Sequence, residues 1–427
     1  MLQRINKTSS ARRGSAYVLV IGIALVITVL GMAGLTASRV QSRIISAGCD
    51  WEEAGTLAFA ATEHAQSYIN AAAKASPSTW RSAYISRAIA FTQPMGRGTF
   101  SWALKDETDG NLSADYLRPI RIYGIGKVGV TTRVYSVQVI PGGSPLDVLR
   151  TAIHSGSSVT LNGIINAVNG PISSNATIYL NDTVNGALEA PTVNGSASGN
   201  YSQTTPAPVK TMPSSTVYAQ YLANATSISW SSMLSSGPPV LLTAANNPYG
   251  AADPNGLYSI VLPDGAAATI QNARICGTLL ISASNATITF GPMLWEPARP
   301  DYPILIINAT NTTINFEGST TWLREADINM NLNPPGTPFE GLSDTDQNDD
   351  FPPQYRGLIH IIGSSNTINL SSNAYIAGTL IADGPIATTV RATLIQNPAI
   401  RANPPLGYSM GDKLTIVPSS WRWDTLP

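Results

Sequence analysis

The chain has 427 residues, a formal net charge of −1 and only 12% charged residues. Its length suits two or three domains, and its balanced charge lacks the clustered basic surface that nucleic-acid binding requires. Its 35 Gly and 30 Pro residues favour turn-rich β structure over helical bundles. Cys49 and Cys276 lie too far apart in sequence to suggest a metal site or a disulfide framework. We therefore expect a multidomain, β-rich protein with no nucleic-acid partner.

An uncharged, mostly apolar segment runs from Ser15 to Ala37. About 20 apolar residues suffice to cross the hydrocarbon core of a bilayer, so this segment is long enough to span a membrane. More Lys and Arg residues precede it than closely follow it, the latter being Arg39 and Arg43. The positive-inside rule then places the N-terminus in the cytoplasm and exports the body of the chain.

This segment fits three classes of membrane sequence. A secretory signal peptide has an apolar core of about 7–15 residues before a small-x-small cleavage site, whereas the run here is longer and its best such site, Gly31–Ala33, lies inside it. A plain transmembrane anchor is physically sufficient. A prepilin leader is the third class, because a basic segment ends in Gly14 directly before the apolar run.

The basic segment, Gly14 and the apolar helix resemble the N-termini of type IV pilins and type II secretion pseudopilins. The resemblance implies that a prepilin peptidase removes residues 1–14 by cutting between Gly14 and Ser15. Major pilins usually carry a Glu at the fifth mature position, which here is Leu19. A carboxylate inside a bilayer costs roughly 2.5–3.5 kcal/mol, and in that family it pairs with a neighbouring subunit's N-terminal amine. Its absence resembles the PilX/GspK-type minor subunits, which lie at or near a filament tip.

Helical periodicity continues beyond the membrane segment and predicts one N-terminal helix over residues 15–75. Such a helix packs either on a partner or on the next domain of the same chain. It ends before Pro77, because a residue that precedes Pro disfavours the α conformation. Apolar, mostly small residues follow alternating steps of four and three, the spacing of a heptad seam: Val40, Ile44, Ala47, Trp51, Ala54, Ala58, Ala61, Ala65, Tyr68 and Ala72.

The pattern changes to strand alternation within residues 76–145. The runs FSWALKD, RPIRIYGIGKVG and TTRVYSVQVIP are rich in β-branched and aromatic residues and are separated by turn signals. They predict a small, pilin-like antiparallel meander of three or four strands that covers one face of the helix. In the first turn, the oxygen atoms of Asp106, Glu107, Asp109 and Asn111 suit a calcium ion, although solvated loop acids are the commoner explanation.

Residues 146–400 carry a degenerate repeat, as in SSNATIYL, SASNATITF, NATNTTINF and SSNTINL. In each copy, Thr and Ile alternate with other residues after an Asn at a corner. Short strands joined at such corners are typical of a stacked β-solenoid. We expect a right-handed β-helix here, with a β-sandwich as the structural alternative.

Three segments lie outside this repeat. Residues 200–216 are rich in Pro, Ser and Thr, which predicts a crossing loop. Residues 331–353 are polar and acidic without the spacing of a calcium loop, which predicts a hydrated surface loop. The tail, residues 401–427, is expected to fold back on the body, because Trp421 and Trp423 would otherwise expose apolar surface.

The sequence offers little catalytic chemistry, and it contains none of the common nucleophile, metal or phosphate-binding motifs. A β-helix glycosidase would need converging carboxylates, and nothing in the sequence brings its scattered acids together. We expect no enzymatic activity, no metal and no cofactor. The residues that such chemistry would use are His64, His154, His360, Glu296, Asp301 and Glu317.

These features predict an α+β protein with a long membrane helix, a small antiparallel sheet and a large all-β domain. We interpret it as a minor pilin or pseudopilin of a type IV pilus or type II secretion filament. It would be anchored in the bacterial inner membrane, with its body periplasmic or extracellular. The expected partners are other pilins, the prepilin peptidase and a carbohydrate or protein ligand of the β domain. A membrane-anchored surface adhesin or envelope scaffold is the second hypothesis, and a carbohydrate-active β-helix enzyme is the third.

Overall fold

The computed structural model describes residues 11–76, 79–107, 110–112, 118–232 and 240–427. Their architecture is α+β, as the sequence predicts: a long N-terminal helix, a small antiparallel sheet and a large, mostly parallel β domain. The helix α1 comprises Ala11–Ala75 and, at 1.5 Å per residue, is about 98 Å long.

The small sheet lies on the C-terminal half of α1. Its first four strands follow one another as an antiparallel meander, and the last three of them contain the three alternating runs of the sequence. The predicted meander is therefore confirmed, with four strands. Their bounds are β1 (Ile89–Met95), β2 (Gly98–Asp106), β3 (Ile120–Val128) and β4 (Thr131–Gly142).

The buried stripe of α1 departs from the predicted heptad seam. Val40 and Ile44 are exposed, and at the other end Tyr68 is 52% exposed while its neighbour Ile69 is fully buried. A straight α-helix drifts by about 20° per heptad, so the stripe moves by one residue as the helix crosses the sheet. The fully buried positions in α1 are Ala54, Ala58, Ala61, Thr62, Ala65, Ile69 and Ala73.

The large domain is a β-solenoid, in which short strands pair in parallel with the strands of neighbouring coils. This pairing excludes the antiparallel sandwich that was the alternative. The chain first builds the middle and one end of the stack. The strands of this part are β5 (Ile153–Ser155), β6 (Val159–Leu161), β7 (Ile164–Val168), β8 (Ile172–Ser174), β9 (Thr177–Leu180), β10 (Val184–Glu189), β11 (Thr192–Gly195) and β12 (Tyr201–Thr204).

The chain then crosses to the other end and coils back. The crossing is shorter than predicted, because β12 occupies the first residues of 200–216, and it leads into helix α2 (Val217–Leu222). The second set of strands runs from β13 (Thr226–Ile228) through β14 (Val240–Thr243), β15 (Leu257–Val261), β16 (Ala267–Ile270), β17 (Ala273–Cys276), β18 (Thr278–Ser284), β19 (Thr287–Phe290), β20 (Leu294–Glu296), β21 (Leu305–Thr310), β22 (Thr313–Glu317), β23 (Leu323–Arg324), β24 (Asp350–Phe351), β25 (Gln354–Ile362), β26 (Thr367–Ser371), β27 (Ala374–Ala382) and β28 (Ile386–Thr388) to β29 (Arg391–Ile395).

The first coil of the solenoid pairs with its last. Strands β27, β28 and β29 lie beside β5, β6 and β7, respectively, in parallel register. The stack is therefore continuous in space although the chain enters it near the middle.

Two parts of the solenoid surface are covered. Helix α2 and helix α4 (Pro398–Ala402) pack with Tyr408 over outward-facing residues such as Ile306 and Ile381. The insertion at 331–353 contributes Leu332 and Phe351, which pack on Leu294 beside helix α3 (Glu325–Ile328). The prediction of a purely hydrated loop at 331–353 is therefore wrong in part, because two of its large apolar side chains, those of Leu332 and Phe351, are buried.

The tail divides between the two domains: Tyr408 packs on the solenoid, on which the tail was expected to fold, whereas the strands that follow it contact the small sheet. Its strands, β30 (Lys413–Ile416) and β31 (Arg422–Asp424), both pair antiparallel with β4. β4 is the open edge of the meander, and an edge strand offers unpaired backbone groups to a further strand. The solenoid is therefore inserted between two strands of the small sheet.

Candidate functional site

The first candidate site is the N-terminal half of α1. Every side chain from Ala16 to Cys49 is exposed. Among the described residues, α1 alone is long and apolar enough to cross a membrane. Soluble proteins rarely expose apolar surface of this extent, so this half of the helix fits a single-pass membrane anchor.

The predicted processing site lies at the start of this helix. Gly14 and Ser15 belong to the backbone of α1, whereas residues 1–10 of the predicted leader and the side chains of residues 11–15 lie outside the described part of the chain. Leu19, at the position of the missing carboxylate, is 64% exposed. Cleavage between Gly14 and Ser15 stays a prediction.

Two threonine side chains in the exposed half of α1 bond to the backbone of the same helix. The hydroxyl groups of Thr28 and Thr36 donate to the carbonyl oxygens of Ala24 and Met32, each at 2.8 Å. The first acidic residue of α1 is Asp50. Because polar groups without a partner are costly in hydrocarbon, this half of the helix suits a bilayer or the apolar interior of a helix bundle.

The other half of α1 approaches the sheet through small residues on both sides. A Cβ atom on Gly124 would lie 2.1 Å from the carbonyl oxygen of Ala58, and one on Gly126 would lie 2.0 Å from that of Ala54. No side chain fits such a gap, so these glycines of β3 set the distance between helix and sheet. The small residues of the seam predicted a close approach, and the GIG of RIYGIGKVG was the matching signal.

An aromatic clamp, formed by Trp51, Arg133 and Trp423, lies where the exposed half of α1 leaves the body. The guanidinium carbon of Arg133 lies 3.9 Å from the ring centroid of Trp51 and 3.7 Å from that of Trp423. Cation–π contacts of this kind contribute about 0.5–2 kcal/mol. The clamp thus links the helix, β4 and the tail, and only the tryptophans of the tail hinted at it in the sequence.

The acids of the predicted calcium site have other roles where the structure describes them. Asp109 lies outside the described residues. Glu107 accepts a hydrogen bond from Arg121 Nε at 2.8 Å, and Asp106 is buried at the end of β2. Among the described residues, no group of three or more His, Cys, Asp or Glu side chains could hold a metal ion. Calcium binding therefore stays a prediction without structural support.

The two histidines of the solenoid are buried. His154 belongs to β5, and its Nδ1 lies 2.5 Å from Ser173 Oγ. His360 Nδ1 lies 3.1 Å from the Tyr408 hydroxyl. Burial lowers the pKa of each histidine to about 3. Ser173 is itself fully buried, so its pair with His154 offers no accessible nucleophile.

The remaining chemical candidates are placed separately. His64 lies on α1 and stacks on Phe91 with ring centroids 4.7 Å apart. Glu296 accepts from Arg274 Nη2 at 2.6 Å, and Asp301 accepts from Arg299 Nη2 at 2.7 Å. Both acids thus already serve as partners of arginines. Glu317 ends β22.

The second candidate site is the outer side of the eight-stranded sheet β11-β9-β6-β28-β26-β22-β19-β16, which we call the ladder face. Residues such as Ile314 and Phe316 of β22 point inward and are fully buried, whereas the alternate positions point outward. One outward row continues in register across all eight strands: Thr269, Thr289, Asn315, Asn369, Ala387, Thr160, Tyr179 and Asn194.

A second outward row runs beside the first. In the centre of the face, side-chain amides link neighbouring strands: Asn369 Nδ2 donates to Asn315 Oδ1 at 2.9 Å, and Asn315 Nδ2 donates to Thr289 Oγ1 at 3.3 Å. No residue in either row carries a charge. The second row contains Ala267, Thr287, Thr313 and Thr367 on consecutive strands, and Thr177 and Thr192 at the other end.

No family model matches the chain, and no curated protein matches it. Among solved structures, it is similar to the competence-associated pilin ComZ from Thermus thermophilus, with a TM-score of 0.31 and 11% identity over 87% of this chain and 98% of that chain. It is also similar to an ice-binding protein from an Antarctic biological consortium, with a TM-score of 0.30 and 14% identity over 60% of this chain and 92% of the other. An ice-binding protein domain from Shewanella frigidimarina gives a TM-score of 0.26 and 13% identity over 60% and 99%. Likenesses this distant carry no argument about function.

Proposed function

We propose that the protein is a minor pilin or pseudopilin of the PilX/GspK type. Its exposed apolar helix inserts into the bacterial inner membrane and then packs with the helices of other pilins in a type IV pilus or type II secretion filament. A prepilin peptidase trims the leader between Gly14 and Ser15. The solenoid is displayed on the outside of the membrane or filament, and the role is structural, without enzymatic activity.

One observation carries this proposal: the apolar segment and the body share a single unbroken helix. A plain anchor needs only a membrane span and a linker, whereas α1 continues from the exposed half into the sheet without interruption. The close approach at Gly124 and Gly126 and the aromatic clamp fix that helix to the body. A subunit that assembles through its helix needs this rigid connection, because the position of the helix in the bundle then sets the position of the body.

Leu19 supports the minor role within this proposal. The exposed half of α1 carries no carboxylate that could pair with a neighbouring N-terminal amine, since Asp50 is its first acid. A subunit without this pairing has fewer positions in a filament that it can occupy. A position at or near the filament tip is one that a subunit without this carboxylate can occupy.

The N-terminal mass of the protein from its native host tests the proposal. We expect a mature chain that begins at Ser15, with an N-methylated amine. A Gly14→Val variant should retain the leader, whereas the matched variant Gly22→Val, which lies in open space on the same helix, should be processed normally. A wild-type chain that keeps residues 1–14 would contradict the pilin assignment and favour a plain anchor.

A second candidate function is a surface-binding role of the solenoid, as in a membrane-anchored adhesin or scaffold. The ladder face favours it, because an extensive, regular and uncovered surface is available for a ligand. Two of the similar structures are described as ice-binding proteins, but their likeness is too distant to identify a ligand here. The ligand therefore has to be identified from the chemistry of the ladder face itself.

A further inference from the structure

We propose that the ladder face binds ice, through its two rows of outward Thr and Asn side chains. This inference rests on the second candidate function, a surface-binding solenoid, and does not require the pilin assignment. It names one ligand, the crystalline lattice of water, and one surface.

The ladder face is a part of the solenoid that the rest of the chain leaves bare. Helices α2 and α4 cover one part of the surface, and the insertion at 331–353 covers another. On the ladder face, by contrast, Thr269, Thr287 and Thr367 remain exposed. With strands about 4.8 Å apart, the eight strands extend this surface over roughly 34 Å.

The absence of charge on the ladder rows restricts the ligand. Phosphate groups, lipid headgroups and acidic polymers are recognised by Arg and Lys, and neither row contains either residue. Beyond the two rows, the outward side of β22 ends in Glu317, whose negative charge also disfavours an anionic ligand. The rows present hydroxyl, amide and methyl groups instead. The matching ligand is therefore neutral and able to both donate and accept hydrogen bonds.

The spacing of the rows indicates a periodic ligand. Outward residues repeat about every 4.8 Å across the strands and about every 6.7 Å along each strand. The repeat across the strands is close to the repeat of oxygen atoms along the a axis of ice. Each added strand therefore meets the lattice in the same way as the strand before it.

The side chains of the face are ordered before any ligand arrives. Thr is β-branched and has few accessible χ1 rotamers, and the side-chain amides of Asn315 and Asn369 are held by their bonds along the stack. Ordering flexible side chains opposes binding, so a face that is ordered on folding avoids that loss. Binding to a crystal lattice requires this order more than binding to a flexible ligand does, because the atoms of a lattice cannot move to fit the protein.

A crystalline polysaccharide is also neutral and periodic, but the face lacks what would favour it. Sugar rings stack on aromatic platforms, and the only aromatic residue of the two rows is Tyr179, near one end of the sheet. On the three adjacent strands β19, β22 and β26, both rows consist of Thr and Asn alone. Ice therefore fits the face better than cellulose or chitin.

The test uses the full chain in lipid nanodiscs and measures the fraction of protein that enters slowly grown polycrystalline ice. We expect the wild-type chain to be enriched in the ice over empty nanodiscs. The Thr287→Lys/Thr367→Lys double variant should lose at least about tenfold of this enrichment, because a Lys ammonium would have to give up its hydration against a neutral lattice. The matched double variant Thr132→Lys/Thr204→Lys places the same charges on exposed strand residues away from the face and should keep it.

Far-ultraviolet circular dichroism of both variants confirms that each is folded before the comparison. A wild-type chain that enters ice no better than empty nanodiscs would overturn the proposal, as would equal losses in the two double variants. Sedimentation with microcrystalline cellulose or chitin but no enrichment in ice would also overturn it. The mass of the mature N-terminus is measured independently, so failure here leaves the pilin assignment to its own test.

Discussion

The small sheet depends mainly on one helix, whereas each inner coil of the solenoid is covered by the coils on both sides of it. In the sheet, Gly124 and Gly126 lie against the backbone of α1, and the inner face packs on that helix with added contacts from Trp80 and Leu112. In the solenoid, Ile288, Ile314 and Ile368 stack in register on successive coils. One contact can therefore decide the stability of the sheet, whereas the stability of the solenoid is distributed along the stack.

The largest expected effect comes from Gly124→Val, which breaks the contact of the sheet with α1. The new Cβ would lie 2.1 Å from the carbonyl oxygen of Ala58, so the helix has to move away from β3. We expect the free energy of unfolding of the sheet to fall by more than about 4 kcal/mol, with the solenoid unaffected. Hydrogen exchange of the β1–β4 amides, measured at increasing urea concentrations, gives the free energy of unfolding of the sheet.

Gly48→Val is the matched control for this change. A Cβ atom on Gly48 would have nothing within 4 Å, so we expect amide protection to stay at the wild-type level. Equal loss of protection in the sheet and the solenoid after Gly124→Val would show that the two regions do not differ in the way described.

Phe316→Ala tests the distributed stability of the solenoid. The Phe316 ring is fully buried and stacks on Phe290 with centroids 5.2 Å apart. Removing a buried Phe ring costs about 3–5 kcal/mol, and we expect exchange to rise in the coils next to β22 while the small sheet keeps its protection. Thr313→Ala, on the outward side of the same strand, is the control and should change the free energy of unfolding by less than about 0.5 kcal/mol. Uniform exchange across all coils would argue against a stack of locally coupled units.

Acid should weaken the solenoid selectively. His154 and His360 have pKa values lowered from 6.5 to about 3 by burial, so the unfolded chain binds protons at a higher pH than the folded chain. Stability is then constant above pH 6.5 and falls from there towards pH 3, by about 1.4 kcal/mol per pH unit for each histidine. Urea unfolding at pH 7.5 and pH 5.5 measures the loss. A His154→Gln/His360→Gln variant should lose the pH dependence, and a slope that persists in it would assign the effect to other groups.

The helix, the meander and the class of the large domain were predictable because their signals are local. In the meander, each strand pairs with the next one along the chain, so the alternation in FSWALKD and TTRVYSVQVIP sufficed. The parallel solenoid was predictable because the Asn-Thr-Ile repeat marks each corner and each short strand. The heptad seam was right only in its middle, because a straight helix does not keep a strict seven-residue period.

Pairings between distant parts of the chain were not predictable. The Ser136 hydroxyl bonds to Asp424 across 288 positions of sequence, and the Ser155 hydroxyl bonds to Gly384 across 229. No periodicity in a single sequence indicates that a tail joins β4 or that a first coil meets the last. For this reason the pairing of the two tail strands with β4 was not predicted.

The candidate sites were predictable to different degrees. The apolar segment after Gly14 is visible in the sequence, because a run of uncharged residues is a property of composition. The outward Thr and Asn residues of the ladder face are visible as alternation, as in Thr313 and Asn315. That this face is bare is not visible, since it depends on where α2 and the insertion at 331–353 happen to pack.

Insertion of the solenoid between β4 and β30 has a mechanical consequence. The two chain segments that join the sheet to the solenoid start at adjacent ends of the paired strands β4 and β30, where Lys413 lies opposite Gly142. Next to this pair, Asp412 accepts hydrogen bonds from the backbone nitrogen and the hydroxyl of Ser144 at 2.9 Å and 3.1 Å. A pull on α1 thus reaches the solenoid through one covalent path, at the end of β4, and through the hydrogen bonds that pair β4 with β30. Tension along these strands shears β4 and β30 together against β3 instead of peeling them apart. One proteolytic nick within the solenoid also leaves both of its fragments tethered to the helix.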